Sequence, residues 1–171
     1  MMASVKNMIA GNKSGLTVAA GLARGLTEFA VSRGASRNEM LSRAGIKPDD
    51  LADQDNRIAF EKYIVLMRTG KALTGDPALA LHYGEANDMA EVSVVGLIAN
   101  ASETMFEAFQ QLSRFGRLVI EFDGGPDRFR SVQEDGGIWA VDNRQNPNDF
   151  PELTESTFAR MVCGPRSFGV T

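Results

Sequence analysis

The sequence predicts an α+β fold: a mostly helical N-terminal part of about six helices, a small antiparallel β-meander, and a C-terminal helix. Three observations predict it. Apolar residues recur at helical spacing from residue 16 to about 115. The period changes to alternation in "RLVIEFD" (117–123), and glycine-bearing turns then divide two further alternating runs. Helical spacing returns in "ELTESTFARMVC" (152–163). Helices and strands are thus segregated along the chain rather than interleaved as in βαβ winding.

The elements follow in order. In "LTVAAGLARGLTEFAVSR" (16–33), Val18, Leu22, Leu26, Phe29 and Ala30 mark one helical face, and Gly34 supplies the C-terminal cap. Ser36 and Glu39 form an S-x-x-E capping box for a short helix that Gly45 ends. "KPDDLADQDN" (47–56) reads as a polar connector anchored by Leu51. A helix over 57–73 carries Phe60, Tyr63, Ile64 and Met67 on one face, with Gly70 placed to admit a close neighbour, and Gly75 stops it. Asp76-Pro77 then opens a helix to about residue 86. Asp88 and Glu91 start the next helix, whose stripe of Val92, Val95, Gly96 and Ala99 runs to Asn100; Ser102 caps another, to about 115, with Phe109 and Leu112 on its buried face. Three strands are expected after Gly116, with Leu118, Ile120 and Phe122 on one side of the first, "GGP" (124–126) as a turn, and Asp135-Gly136-Gly137 as a hairpin. Residues 1–14 read as a flexible tail, 15–163 as one domain and 164–171 as a loose end.

Composition narrows the function. The 171 residues suit a single domain, 43% hydrophobic and 23% charged, with a formal net charge of −4. That acidic balance argues against a DNA grip by this segment itself. The one cysteine, Cys163, excludes an intrachain disulfide. No apolar run approaches the ~20 residues that span a bilayer, and the N-terminus makes a poor signal peptide. A cytoplasmic protein is expected, without a membrane partner.

The chemistry-bearing residues are sparse. His82 is the sole histidine; beside an apolar face, with Glu85 three residues on, it reads as a structural or surface residue before a ligand contact or a base. A Cys163–His82 nucleophilic pair requires an adjacency that spacing does not supply. One His and one Cys build no usual zinc site, and "DDLADQDN" lacks the order of a calcium loop, so no metal is expected. No phosphate-cradling glycine motif is present, and no cofactor is expected. Arg114 and Arg117 flank Gly116, while Arg128 and Arg130 share a strand face; such pairs read as a solvated face or as a carboxylate reader. Trp139, the only tryptophan, is either core or a ligand platform. Trp139, Arg128, His82 and Tyr83 are the candidate pocket residues. Without a catalytic constellation, a binding module is expected rather than an enzyme.

The order of motifs resembles the N-terminal effector-binding (arabinose-binding-type) domain of AraC-family bacterial transcription regulators. "RGLTEFAVSRGASRNEMLSRAGI" (24–46) is similar to its opening pair of helices, and "DQDNRIAFEKYIVLM" (53–67) to its D-x-x-x-R-Ile/Val connector and long helix. "TGDPALALHYGE" (74–85) resembles its Thr-Gly-Asp-Pro, Leu-x-Leu, Gly-Glu signature, and "VSVVGLIANASETMFEAFQQLSRF" (92–115) the paired helices that follow. Ser93 stands where that branch often has glycine, and the likeness fades after about residue 150. The resemblance implies a domain that binds a small-molecule effector, forms a homodimer, and controls DNA binding through a C-terminal helix-turn-helix domain absent from this chain. A stand-alone protein-interaction module without ligand or DNA-binding function is the alternative.

Overall fold

The computed structural model describes residues 15–164. The expected tail (1–14) and all but the first residue of the expected loose end (164–171) lie outside the described residues.

Two very short strands start the fold. β1 (Thr17–Ala19) pairs antiparallel with β2 (Arg57–Ala59), Val18 opposite Ile58. A helix leaves each strand directly: α1 (Ala20–Ser32) from β1 and α3 (Phe60–Thr74) from β2. Neither helix has a side-chain N-cap. Their orphan amides bond instead to backbone carbonyls, Ala20 N to Asn56 O (2.8 Å), Gly21 N to Gln54 O (2.9 Å) and Phe60 N to Leu16 O (2.9 Å). The strand pair is therefore a mutual cap for two helices. Arg57 secures it, donating through Nε to Thr17 Oγ1 (2.8 Å) and through Nη2 to Thr17 O (3.1 Å), with a further bond to the Leu118 carbonyl.

Between them, α2 (Arg37–Ala44) begins at Ser36, whose hydroxyl accepts the Glu39 amide. Half of the expected capping box forms: the Glu39 carboxylate turns to Arg43 instead of back to the Ser36 amide. Gly34, Gly45 and Gly75 all take positive φ at or just after helix ends, as expected. A 3₁₀ turn (Pro48–Leu51) buries Leu51 within the connector.

The core forms where α1, α2 and α3 meet α4 (Leu79–Ala86), around Leu22, Leu26, Met40, Tyr63, Met67, Leu79 and Tyr83. Gly70 makes the expected close contact: a Cβ there would stand 3.0 Å from Leu79 Cδ2.

The helix expected over 88–100 is two helices. α5 (Met89–Val92) is capped by Asp88, and α6 (Val94–Asn100) by the buried Ser93, whose hydroxyl accepts the Gly96 amide. The break folds α6 back so tightly that a Cβ on Gly96 would lie 2.0 Å from the Met89 carbonyl carbon.

The first strand of the meander is a correction. α7 (Met105–Val119) starts from Thr104 rather than Ser102 and continues through Leu118, and only Ile120 makes a β-bridge, to Val18. Leu112, Phe115 and Val119 prolong an apolar helical stripe that outcompetes the short alternation of Leu118, Ile120 and Phe122. The remaining strands form the hairpin β3 (Phe129–Glu134) and β4 (Gly137–Asp142), with Phe129 opposite Asp142. Asp135 and Gly136 both take positive φ, as a two-residue type I′ turn requires. After a 3₁₀ turn (Pro147–Asp149), α8 (Pro151–Cys163) packs along α4.

Candidate functional site

The four sequence-nominated residues do not converge. His82 turns its Nδ1 to Asp76 Oδ2 at 2.7 Å, not to Glu85. Asp76 also accepts the Ala78 amide (2.9 Å) and faces Arg33 (3.4 Å). The hydrogen bond to His82, then the Ala78 amide and the Arg33 guanidinium, hold the Asp76 carboxyl below its ordinary range against the effect of burial. Asp76 thus organises the turn into α4 with its side chain, although the helix itself begins at Leu79. Cys163 contacts Glu85 (3.9 Å), so no Cys163–His82 pair forms. Tyr83 is buried and donates from Oη to Leu22 O at 3.0 Å, its ring 5.7 Å from Phe29. Trp139 is 59% exposed on β4, neither core nor enclosed platform.

Of the two readings of Arg128, a solvated face or a carboxylate reader, the solvated face does not hold. The residue lies just before β3 with its side chain only 11% exposed. Nη2 donates to Asp142 Oδ2 (3.3 Å) and to Leu153 O (3.2 Å). Arg144, also buried, reaches the same oxygen from Nε (3.0 Å), and its backbone amide bonds to Oδ1 (3.2 Å). The Thr154 hydroxyl donates to Asp142 (2.7 Å) while accepting from Arg144 Nη2 (2.6 Å). Hairpin end and α8 start are thereby clamped around one carboxylate. Burial acts to raise that carboxyl, but Arg128, Thr154 and Arg144 outweigh it and keep Asp142 below the usual range. Burial pulls the Arg128 guanidinium down to about 10, with Asp142 opposing and Arg144 and Arg160 adding like charge; it remains protonated at neutral pH.

Arg160 of α8 adds a third guanidinium, 6.0 Å from the Tyr83 ring centre. Its charge is felt at Tyr63, at Tyr83 and at Arg128. Burial first, and Tyr83 second, raise the Tyr63 phenol well above its ordinary value, while Arg160 and Arg128 pull it down. Four buried polar atoms of this neighbourhood have no hydrogen-bond partner among the described residues: Tyr63 Oη, Arg128 Nε, and Arg160 Nε and Nη2. A buried donor left unmade costs on the order of 1–3 kcal/mol, more for a charged group. Aromatic rings border the cluster. Phe129 lies under Arg128 (4.6 Å) and 5.5 Å from Phe158, and Phe150 meets Tyr63 edge-on at 6.2 Å. Chemically, this is an electropositive, donor-rich place in apolar surroundings.

Tyr63, Asp142, Arg144, Thr154 and Arg160 escaped the sequence reading as site residues. For Arg160 a signal existed: Leu153, Ser156 and Arg160 fall at i, i+3 and i+7, placing a cation on the buried face of a helix. Tyr63 was legible only as core. The other nominated arginines serve locally. Arg117 stacks on Phe122 (4.1 Å) and bonds to the Phe122 carbonyl (3.2 Å), and Arg130 bonds to Asn143 (3.0 Å).

A separate, open groove of about 580 Å³ is lined by Arg68, Lys71, Ala72, Gly75, Pro77 and Glu152. Glu152 pairs with Lys71 there (3.1 Å), and Arg68 caps the Asp149 carbonyl (2.9 Å). Among the described residues no group of three or more His, Cys, Asp or Glu is arranged to hold a metal ion, and no helix is long and apolar enough to cross a membrane.

Comparison with known proteins places this architecture. The family model described as the arabinose-binding domain of AraC transcription regulators, N-terminal, matches residues 34–169. An ornithine utilization regulator of Pseudomonas aeruginosa is 24% identical over 118 residues, which cover 65% of this chain and 35% of that protein. The chain thus spans about a third of the curated relative's length. With the match extending over most of its residues, the chain belongs to the family of N-terminal arabinose-binding-type domains of AraC transcription regulators.

Proposed function

We propose that this chain is the effector-binding and dimerisation domain of an AraC-type transcriptional regulator. It binds a small molecule in the cytoplasm and so controls DNA binding by a C-terminal helix-turn-helix domain. The family match over residues 34–169 carries this reading. The unpartnered buried donors at Tyr63, Arg128 and Arg160 support it, because a ligand would supply the missing acceptors. The functional unit is taken as residues 15–163, acting by binding and not by catalysis. Of the nominated contacts, Arg128 is retained at the ligand. Trp139 is retained at the hairpin rim, and His82 and Tyr83 serve the packing of α4. Val94 and Leu97, one turn apart on α6 and about half exposed, are the residues to examine for self-association.

A thermal-shift panel of sugars, polyols, amines, amino acids including ornithine, fatty acids, aromatic acids and inorganic phosphate tests the sensing role. A ligand selective for the folded state raises Tm. A well-folded sample that responds to no class of metabolite refutes sensing, and the interaction-module reading then takes its place. Sedimentation of the wild type against a Val94→Asp/Leu97→Asp variant tests dimerisation.

A further inference from the structure

We propose that the effector carries a carboxylate, received by Arg160 and Arg128 with the Tyr63 hydroxyl, between α3, α8 and the foot of the hairpin. This deepens the effector-binding reading and rests on it.

Three guanidinium groups, those of Arg128, Arg144 and Arg160, share this region with the Asp142 carboxylate. Asp142 is already fully engaged, Oδ2 by Arg128, Arg144 and Thr154, and Oδ1 by the Arg144 amide. Of the other acidic groups on the adjoining elements, Glu152 holds Lys71 through Oε1 and leaves Oε2 buried and unpartnered among the described residues, Glu85 contacts Cys163, and Glu28 is exposed on α1. Arg160 has no ion pair among the described residues. The residue is half-buried, but its Nε and Nη2 are shut from water, and guanidinium donors so placed are costly unless a ligand brings an acceptor.

Donor chemistry then narrows the class. The unpartnered guanidinium atoms, Arg128 Nε, Arg160 Nε and Arg160 Nη2, only donate. A sugar or other polyol presents hydroxyls that must donate as well as accept, and of the four unpartnered atoms only Tyr63 Oη offers its protons an acceptor. A carboxylate is acceptor-only, and the Nε/Nη2 edge of Arg160 matches its two oxygens. The rings of Phe129, Phe158, Phe150 and Tyr83 suit an organic body behind that group and raise the value of a charge-assisted bond in their midst.

The test uses the 171-residue chain and the panel above, adding for every carboxylate that responds its matched primary amide. The probes include butyrate, octanoate, benzoate and the α-amino acids. A binding carboxylate at about 100 times its Kd raises Tm by roughly 5–10 °C, and its amide does not. Arg160→Gln weakens that ligand by roughly 10- to 100-fold while leaving the ligand-free Tm unchanged or higher. Tyr63→Phe, which removes an unpartnered hydroxyl, also weakens the ligand without loss of the fold. Four results overturn the proposal. The first is a response confined to neutral or cationic compounds. The second is a carboxylate response that both variants retain. The third is inorganic phosphate matching the carboxylates with the same dependence on Arg160. The fourth is a fall of ligand-free Tm in Arg160→Gln with binding intact, which makes the guanidinium structural. In each of these the sensing role itself stands wherever a ligand has bound. Silence across the whole panel removes both.

Discussion

Gly84 on α4 lies so close beneath α8 that a Cβ on it would stand 2.2 Å from the Ser156 carbonyl oxygen and 2.9 Å from Ala159 Cβ. Backbone on one side and a methyl group on the other leave no flexible side chain to yield. Gly84→Ala is expected to destabilise the domain by roughly 1–3 kcal/mol or more through overpacking, measured by urea denaturation. Because Arg160 sits one turn beyond Ser156, the same substitution should displace the guanidinium and reduce the response to ligand.

Two buried tyrosines should respond oppositely to loss of their hydroxyls. Tyr83 Oη bonds to the Leu22 carbonyl, so Tyr83→Phe should cost about 1 kcal/mol. Tyr63 Oη has no partner among the described residues, so Tyr63→Phe should be neutral or stabilising in the ligand-free protein. Chemical denaturation of the two variants side by side decides it, and equal losses would contradict the assignment.

Asp142 should dominate acid sensitivity at the foot of the hairpin. Its folded pKa lies below the unfolded one, so its contribution is complete above the ordinary carboxyl value of about 3.9. It is lost as pH falls through the lower folded value. Tm of the wild type measured from pH 6 downward should therefore fall below about pH 4 more steeply than in Asp142→Asn. At neutral pH the Asn variant should be less stable by roughly 3–5 kcal/mol, because Arg128 and Arg144 lose the anion between them.

The Ser93 hydroxyl caps α6 by accepting the Gly96 amide. The Ser93 φ of −161° is extended backbone that any residue adopts, so glycine is not required there. Ser93→Ala should cost about 1 kcal/mol, and Ser93→Gly only a few tenths. Thermal denaturation of both variants checks the order.

The helical half was legible because its signals are local. Leu22, Leu26 and Ala30 repeat at helical spacing and are all buried, and Gly34, Gly45 and Gly75 stop helices by taking a left-handed conformation. The β3–β4 turn was equally plain from Asp135-Gly136. Illegible features depend on partners distant in sequence. β1 and β2 are three residues each, too short to alternate, and exist because Thr17 meets Arg57 across forty positions. The end of α7 was misread because a seven-residue alternation competes poorly with a stripe that already binds the core. The arginine cluster joins Tyr63, Arg128 and Arg160 from three elements, and no spacing rule connects them. His82 illustrates the converse: its expected neighbour Glu85 was local, yet Asp76, six residues earlier, holds it across the turn.

The exposed position of Trp139 gives the protein a built-in optical reporter. With a single indole in the chain, standing on β4 in water, all native tryptophan fluorescence comes from one known place. Emission should already lie at long wavelength before denaturant is added. Anything that settles over the hairpin, whether a second subunit or a bulky ligand, must move it to shorter wavelength. A molecule enclosed beneath α8 alone would leave the colour unchanged while still raising Tm. Fluorescence and melting together therefore locate a binding event on this domain without any labelling.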